Sequence, residues 1–171
     1  MMMNLEPYLV RRITLEEEES LQGLCERCSD YYEIVEGRAP RADAAHEIIT
    51  ELPLGKEYDD KFVLGIYNHY SSLVGVIDLV RNYPREGIWT IGLLLIDPCE
   101  RGKGLGRRVQ EALVKTASES GAKTLRIGVA SDNHRAFDFW TTMHYTKQQE
   151  LPLKLGLKES TVVIMHYDIH Q

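Results

Sequence analysis

At 171 residues, with 43% hydrophobic and 27% charged side chains, the chain has the size and composition of one ordinary globular domain, residues 1–171. A formal net charge of −6 without a long basic stripe makes duplex nucleic acid a poor partner and leaves room for a cationic or amine ligand. No run approaches 18 apolar residues, and the start has no basic segment leading into an apolar one. The sequence therefore predicts no membrane span, no secretory leader and a cytoplasmic location.

Tyr8 to Ile13 reads as a short first strand. Thr14 can cap a helix whose first turn carries Glu16 to Glu19, the charge a helix N-terminus favours, and that run reads as a solvated helix start. Cys25 and Cys28 share one face of this helix. With no second Cys or His pair at matching spacing they read as small buried hydrophobes, and no metal site is expected. Three cysteines, an odd number, argue against a disulfide framework. Ser29 to Pro40 breaks at Gly37 and Pro40. Its Tyr31, Tyr32 and Glu33 offer two aromatic walls and one carboxylate for an amine, or equally the exposed end of an amphipathic helix. Asp43 to Glu51 is a second short helix, and Lys61 to Tyr67 and Leu73 to Val80 alternate as strands. After a turn over 81–87, Ile88 to Ile96 becomes almost continuously apolar, as a strand covered on both faces does.

The segment that follows is the most informative one. Asp97-Pro98 leads into a loop with glycines at 102, 104 and 106 and cations at Arg101, Lys103, Arg107 and Arg108. Leu105, Val109, Ala112, Leu113 and Ala117 then mark the core-facing stripe of a helix that Gly121 stops. A helix N-terminus presents free N–H groups and partial positive charge, and glycines let backbone approach a phosphate closely. Cations in a first helical turn oppose the macrodipole, so their clustering here points to a bound polyanion. The run is neither G-x-x-x-x-G-K-[ST] nor G-x-G-x-x-G. Thr124 to Val129 forms the next strand, a helix begins at Asn133, and Lys147 to Leu155 and Thr161 to Ile169 close the chain as strands.

Arg101-Gly102-Lys103-Gly104-Leu105-Gly106 resembles the [QR]-x-x-G-x-[GA] signature of the GCN5-related N-acetyltransferases. Leu94-Leu95-Ile96-Asp97-Pro98 is similar to that family's fourth strand and its exit. Asn133-His134-Arg135-Ala136-Phe137-Asp138-Phe139-Trp140 resembles its N-x-x-A-x-x-F-[YW] segment, with His144-Tyr145 a variant of its Gly-Phe. The likeness is specific over about residues 74–146 and loose before them. It implies an α/β fold with a mixed, mostly antiparallel sheet of six or seven strands, flanked by about four helices and splayed at strands four and five. It implies acetyl-CoA as donor and CoA as product. Arg101, Gly102, Lys103, Gly104, Leu105, Gly106 and Arg107 would take the pyrophosphate, Leu94, Leu95 and Ile96 would pair with pantetheine, and Asn133, Ala136 and Trp140 would meet the cofactor arm. Asn133 reads equally as a helix N-cap, and the two roles are compatible.

The implied reaction is direct attack by a primary amine, of a small molecule or an exposed protein amine, on the thioester. It needs a base for the ammonium proton, a backbone N–H for the carbonyl oxygen and an exit for the thiolate. Two departures from the family pattern bear on this. Family members often carry a carboxylate on the fourth strand, where this chain has Trp89, Thr90, Ile91 and Gly92. A hairpin centred near Pro84 would set Asp78 opposite Thr90, on one face of the sheet. Among Val76, Ile77, Leu79 and Val80 a carboxylate is costly unless used or paired, so Asp78 is the candidate base, with a structural hydrogen-bonding role as its alternative. The second departure is Trp140, which stands where a tyrosine acid is expected and cannot titrate; Tyr31, Tyr32 and His144 are stand-ins, each also readable as structural. The acceptor pocket should come from residues 29–40, the turn after the third strand and the closing hairpin. A CoA-binding sensor that has lost turnover is the alternative function, and a homodimer is left open.

Overall fold

The apolar runs assemble into one seven-stranded sheet, which the computed structural model describes within residues 2–170. In chain order the elements are β1 (Leu9–Arg12), α1 (Glu18–Arg27), α2 (Ser29–Glu36), α3 (Ala44–Thr50), β2 (Lys61–Tyr67), β3 (Leu73–Val80), β4 (Ile88–Ile96), α4 (Leu105–Glu119), β5 (Thr124–Ala130), α5 (His134–Thr142), β6 (Thr146–Leu155) and β7 (Lys158–Asp168). The strands lie in the order β1-β2-β3-β4-β5-β7-β6. Every neighbouring pair is antiparallel except β4 and β5. Among the described residues no helix is long and apolar enough to cross a membrane.

The parallel pair is short. It holds from Ile88 opposite Thr124 to Ile91 opposite Ile127 and then stops, although β4 runs on to Ile96 and β5 to Ala130. Each strand stays paired on its other side, β4 with β3 as far as Ile96 and β5 with β7 as far as Ala130. The sheet therefore opens like a V between its two halves.

Two cores flank the sheet. On one face α4 and α5 cover Trp89, Ile91 and Leu125 with Leu113, Val109 and Trp140; on the other, α1 to α3 cover Val63, Val76 and Leu95 with Leu21, Leu24 and the buried Cys25 and Cys28. The flanking helices number five where about four were expected. Cys28 leaves helical backbone (φ −95°, ψ 30°), so residues 18–36 form two helices, and Gly37 ends the second in the left-handed region (φ 73°) that glycine adopts at little cost.

Asp78 sits opposite Leu93, which corrects the expected pairing with Thr90. The turn is centred nearer residue 85 than Pro84, because the Tyr83 N–H donates to the Ile88 carbonyl (2.8 Å) and the Thr90 hydroxyl to the Tyr83 carbonyl (2.6 Å). Val80 thus pairs with Thr90, and a register shift between Leu79–Ile91 and Asp78–Leu93 leaves Gly92 as an extra residue, a β-bulge in β4.

The acidic run after Thr14 is not merely solvated. Glu17 accepts from Arg11 (2.7 Å), the Tyr67 hydroxyl (2.8 Å) and the Thr14 N–H (3.3 Å), which pins the α1 entrance to β1 and β2. The Arg11 guanidinium is the leading cause that holds the Glu17 carboxyl down at about 2, against an ordinary 4.5. The folded chain then binds this proton more weakly than the unfolded chain, so the stabilisation is complete above pH 4.5 and disappears as the pH falls to about 2. Urea melts across that window should show a shallower acid loss of stability for Glu17→Gln than for the parent, together with lower stability at pH 7.

Candidate active site

A cleft of about 540 Å³ opens where β4 and β5 part. Leu94, Leu95 and Ile96 form one wall, the 101–107 loop and the start of α4 its end, and Asn133, Ala136, Phe139 and Trp140 the wall opposite. All the residues expected to meet the cofactor arm lie on this cleft except Lys103, which points to solvent outside it. Asp30, Tyr31 and Ile34 of α2 add a rim that the sequence reading had not joined to this cleft.

The three glycines do two jobs. Gly102 and Gly104 have φ of +75° and +80°, and nothing lies within 4 Å of where a Cβ would be, so they shape the loop and leave space over its amides. Gly104 is also the N-cap of α4. Gly106 has no positive φ; a Cβ there would meet the Phe139 ring at 3.1 Å, so its role is close packing of α4 against α5. An open backbone cradle at the N-terminus of a 15-residue helix fits a diphosphate.

The cations divide in the same way. Arg101 reaches back, its guanidinium donating to Asp30 (2.6 and 3.2 Å) and its Nε to the Ile96 carbonyl (2.9 Å). Arg108 donates to the Glu6 carbonyl and lies over the Tyr8 ring, away from the cleft. Arg107 lines the cleft and has no ion-pair partner among the described residues, and Arg135, which the sequence reading passed over, joins it there. Asn133 caps α5 through its Oδ1, which accepts from the Ala136 N–H (3.2 Å). Trp140 is buried, edge-on to Phe139 and Tyr145 with each pair of ring centroids 4.9 Å apart, so it packs the core and shows the cleft only part of its surface. His144 takes the left-handed backbone (φ 70°) at the position where the family signature has glycine, and its side chain is exposed.

A second cavity of about 160 Å³ lies on the α1–α3 face, against the bulge. Its floor is Asp78, Gly92 and Leu93, its walls Tyr31, Tyr32 and Ile48, and its mouth the carboxylates of Glu36, Glu47 and Glu51 with Arg41 beside them. Glu33 is exposed on α2 and takes no part. The closing hairpin does not line the cavity either; it anchors α2, since Lys158 Nζ donates to the Ile34 carbonyl and the Leu157 N–H to the Glu36 carbonyl (both 2.9 Å). Glu47 of α3 and Glu51 just beyond its end do not stand out in the sequence, where their four-residue spacing is the available signal.

Asp78 Oδ1 pairs with Lys61 Nζ at 2.8 Å, and the lysine side chain is only 4% exposed. Asp78 Oδ2 lies 3.0 Å from where a Gly92 Cβ would stand, so the glycine of β4 leaves the space that the aspartate of β3 fills. Burial pushes the Asp78 carboxyl above its ordinary value, and the Lys61 ammonium opposes that rise.

Residues 21–145 match the family model described as acetyltransferase (GNAT) family. The chain belongs to the GNAT acetyltransferase family. An acetyltransferase of Thermus thermophilus superposes with a TM-score of 0.77 at 18% identity, over 98% of this chain and 99% of that one. A GNAT-family acetyltransferase of Bacillus anthracis gives 0.74 at 13%, over 98% of each chain. The ribosomal-protein-S18-alanine N-acetyltransferase of Escherichia coli gives 0.68 at 13%, over 96% of this chain and 95% of that one. At these identities the likeness is one of fold. No curated protein sequence matches.

Arg107, like Arg135, lines the V between β4 and β5 and has no ion-pair partner among the described residues, and Arg107 stands in the first turn of α4 beside the glycine loop, free to meet an anion there. Reversing its charge should weaken CoA binding about tenfold or more, and more at low than at high salt. Calorimetry on Arg107→Glu measures this, and Arg108→Glu, whose native side chain lies against Glu6, should change the affinity less.

Proposed function

We propose that this GNAT protein transfers the acetyl group of acetyl-CoA to a cationic primary amine that enters through the α1–α3 face, with Asp78 as the base. The observation that carries the reading is the placement of the second cavity: it ends on Asp78 and on the bulge of the strand whose next residues wall the first.

In this reading the diphosphate rests on the amides of residues 101–107, with Arg107 and Arg135 supplying positive charge. The edge of β4 beyond Ile91 faces the cleft without a strand partner from β5, so apart from the Ile96 carbonyl, which Arg101 engages, its outward N–H and C=O groups can bind the amides of pantetheine as a further strand would. Acetyl-CoA supplies the thioester. The bulge at Gly92 takes one residue out of the ladder with β3, and a backbone N–H at that point can hold the carbonyl oxygen as charge develops there, which needs no particular side chain.

The amine arrives protonated, since an alkylammonium keeps its proton near pH 7. Glu36 is paired with Arg38 (3.3 Å), but Glu47 and Glu51 at the mouth have no ion-pair partner among the described residues and favour that cation, and Tyr31 and Tyr32 give it aromatic walls. Asp78 then accepts the proton through Oδ2, the oxygen not engaged by Lys61. Burial suits it to this task, because a raised carboxyl pKa brings the base nearer to that of the amine. The sensor alternative leaves a cavity ending on a partly neutralised carboxylate without a use, and family membership favours turnover.

Two measurements test the reading. Thiol release from acetyl-CoA over a panel of primary amines should show turnover, with kcat/KM falling as the pH is lowered through the raised Asp78 pKa. Asp78→Asn should lower the neutral-pH rate about a hundredfold and abolish that acid limb. An unchanged profile removes Asp78 as the base. At the mouth, the double variant Glu47→Gln/Glu51→Gln should raise the amine KM several-fold and leave the acetyl-CoA KM unaltered.

A further inference from the structure

We propose that Tyr31 is the general acid that protonates the departing CoA thiolate, taking from α2 the role that Trp140 cannot fill on α5. This rests on the reading that the donor lies in the β4–β5 cleft and the acceptor in the Asp78 cavity.

Among the described residues Tyr31 alone lines both cavities. On the donor side it stands with Leu94 and Leu95 of β4; on the acceptor side it stands with Leu93, Gly92 and Asp78. The two cavities abut at consecutive residues of β4, and the bond to be broken must lie where donor and acceptor meet. Tyr31 is therefore at the junction the reaction has to use, whereas Trp140 belongs to the far wall of the donor cleft and is committed to Phe139 and Tyr145.

The hydroxyl is free to act. Tyr32 next to it donates to Cys25 Sγ (3.4 Å), but the Tyr31 hydroxyl has no hydrogen-bond partner among the described residues. Tyr31 lines both cavities, and its hydroxyl is not one of the sealed, unpartnered side-chain polar atoms, which among the described residues are Arg38 Nε and Gln110 Nε2. The ring is fixed edge-on to Tyr32, with centroids 5.3 Å apart. Its helix is held at both ends, by Arg101 on Asp30 and by Lys158 on the Ile34 carbonyl. Burial pushes the phenol up to about 12, which keeps it protonated at any working pH.

The protons balance. The nitrogen sheds one proton to Asp78 before attack and a second as the carbon–nitrogen bond forms and the adduct collapses. The carbon–sulfur bond breaks with its electron pair moving to sulfur, which takes the Tyr31 proton and leaves as the thiol. The phenolate recovers a proton from those released by nitrogen, and one proton net goes to solvent.

The test is Tyr31→Phe, which removes one oxygen and keeps the ring. Steady-state kinetics should show kcat reduced about ten- to a hundredfold, at the lower end of general-acid effects because a thiol is a fair leaving group. The amine KM and the calorimetric CoA affinity should hold. The solvent deuterium isotope effect on kcat should shrink towards unity, which loss of a merely structural ring contact does not produce. Three results overturn the proposal: unchanged kcat, a loss confined to KM, or an isotope effect that persists in the variant. Failure of the underlying reading looks different, since an acceptor bound elsewhere leaves the amine KM of Glu47→Gln/Glu51→Gln unaltered whatever Tyr31→Phe does.

Discussion

The rest of the structure depends on the early end of the β4–β5 pairing. Four residue pairs join the halves of the sheet, and beyond Ile91 two strands that remain fully paired on their outer sides diverge. A β-strand edge inside a protein cannot stay without hydrogen-bond partners at no cost. The fold tolerates this one because the cleft admits solvent or an extended ligand, and because the loop at the end of β4 supplies a charge-complementary terminus. On the proposed reading, donor binding completes an interrupted sheet.

The bulge at Gly92 does for the acceptor side what the parting does for the donor side. It takes one residue of β4 out of register and removes a side chain where one would collide with Asp78. The carboxylate absent from β4 is thereby matched by one on β3, held at 2.8 Å by a buried lysine. On the proposed reading Tyr31 and Trp140 repeat that displacement, with a role moved from α5 to α2.

Much of this was legible in the chain. Two alternating segments and one continuous apolar run match β2, β3 and β4 to the residue, and the α4 stripe from Leu105 with Gly121 after it marks a helix that the structure places over Leu105–Glu119. The loop glycines could be read as a cradle, but Gly106 serves packing, and Arg101 and Arg108 are engaged by Asp30 and Glu6. Those partners lie some 70 to 100 residues away in sequence, so periodicity carries no trace of them. The register at Asp78 failed for a local reason: a single residue's choice to bulge changes the pairing beyond it without changing the alternation pattern. The acceptor wall was half read, since tyrosines stand out in a short helix and glutamates on a solvated one do not.

The two ends of α2 are clamped, one to the exit of β4 through Asp30 and Arg101 and the other to the β6–β7 turn through Ile34 and Glu36. α3, which brings Glu47 to the same cavity and is followed at once by Glu51, leans on α1 and is flanked by irregular chain on both sides. Over evolutionary time the two walls are therefore unequally free to diversify. On the proposed reading, substitutions in α2 would disturb the apparatus shared by every turnover, while α3 could exchange its side chains, lengthen or tilt and so retune which nitrogen compounds are accepted.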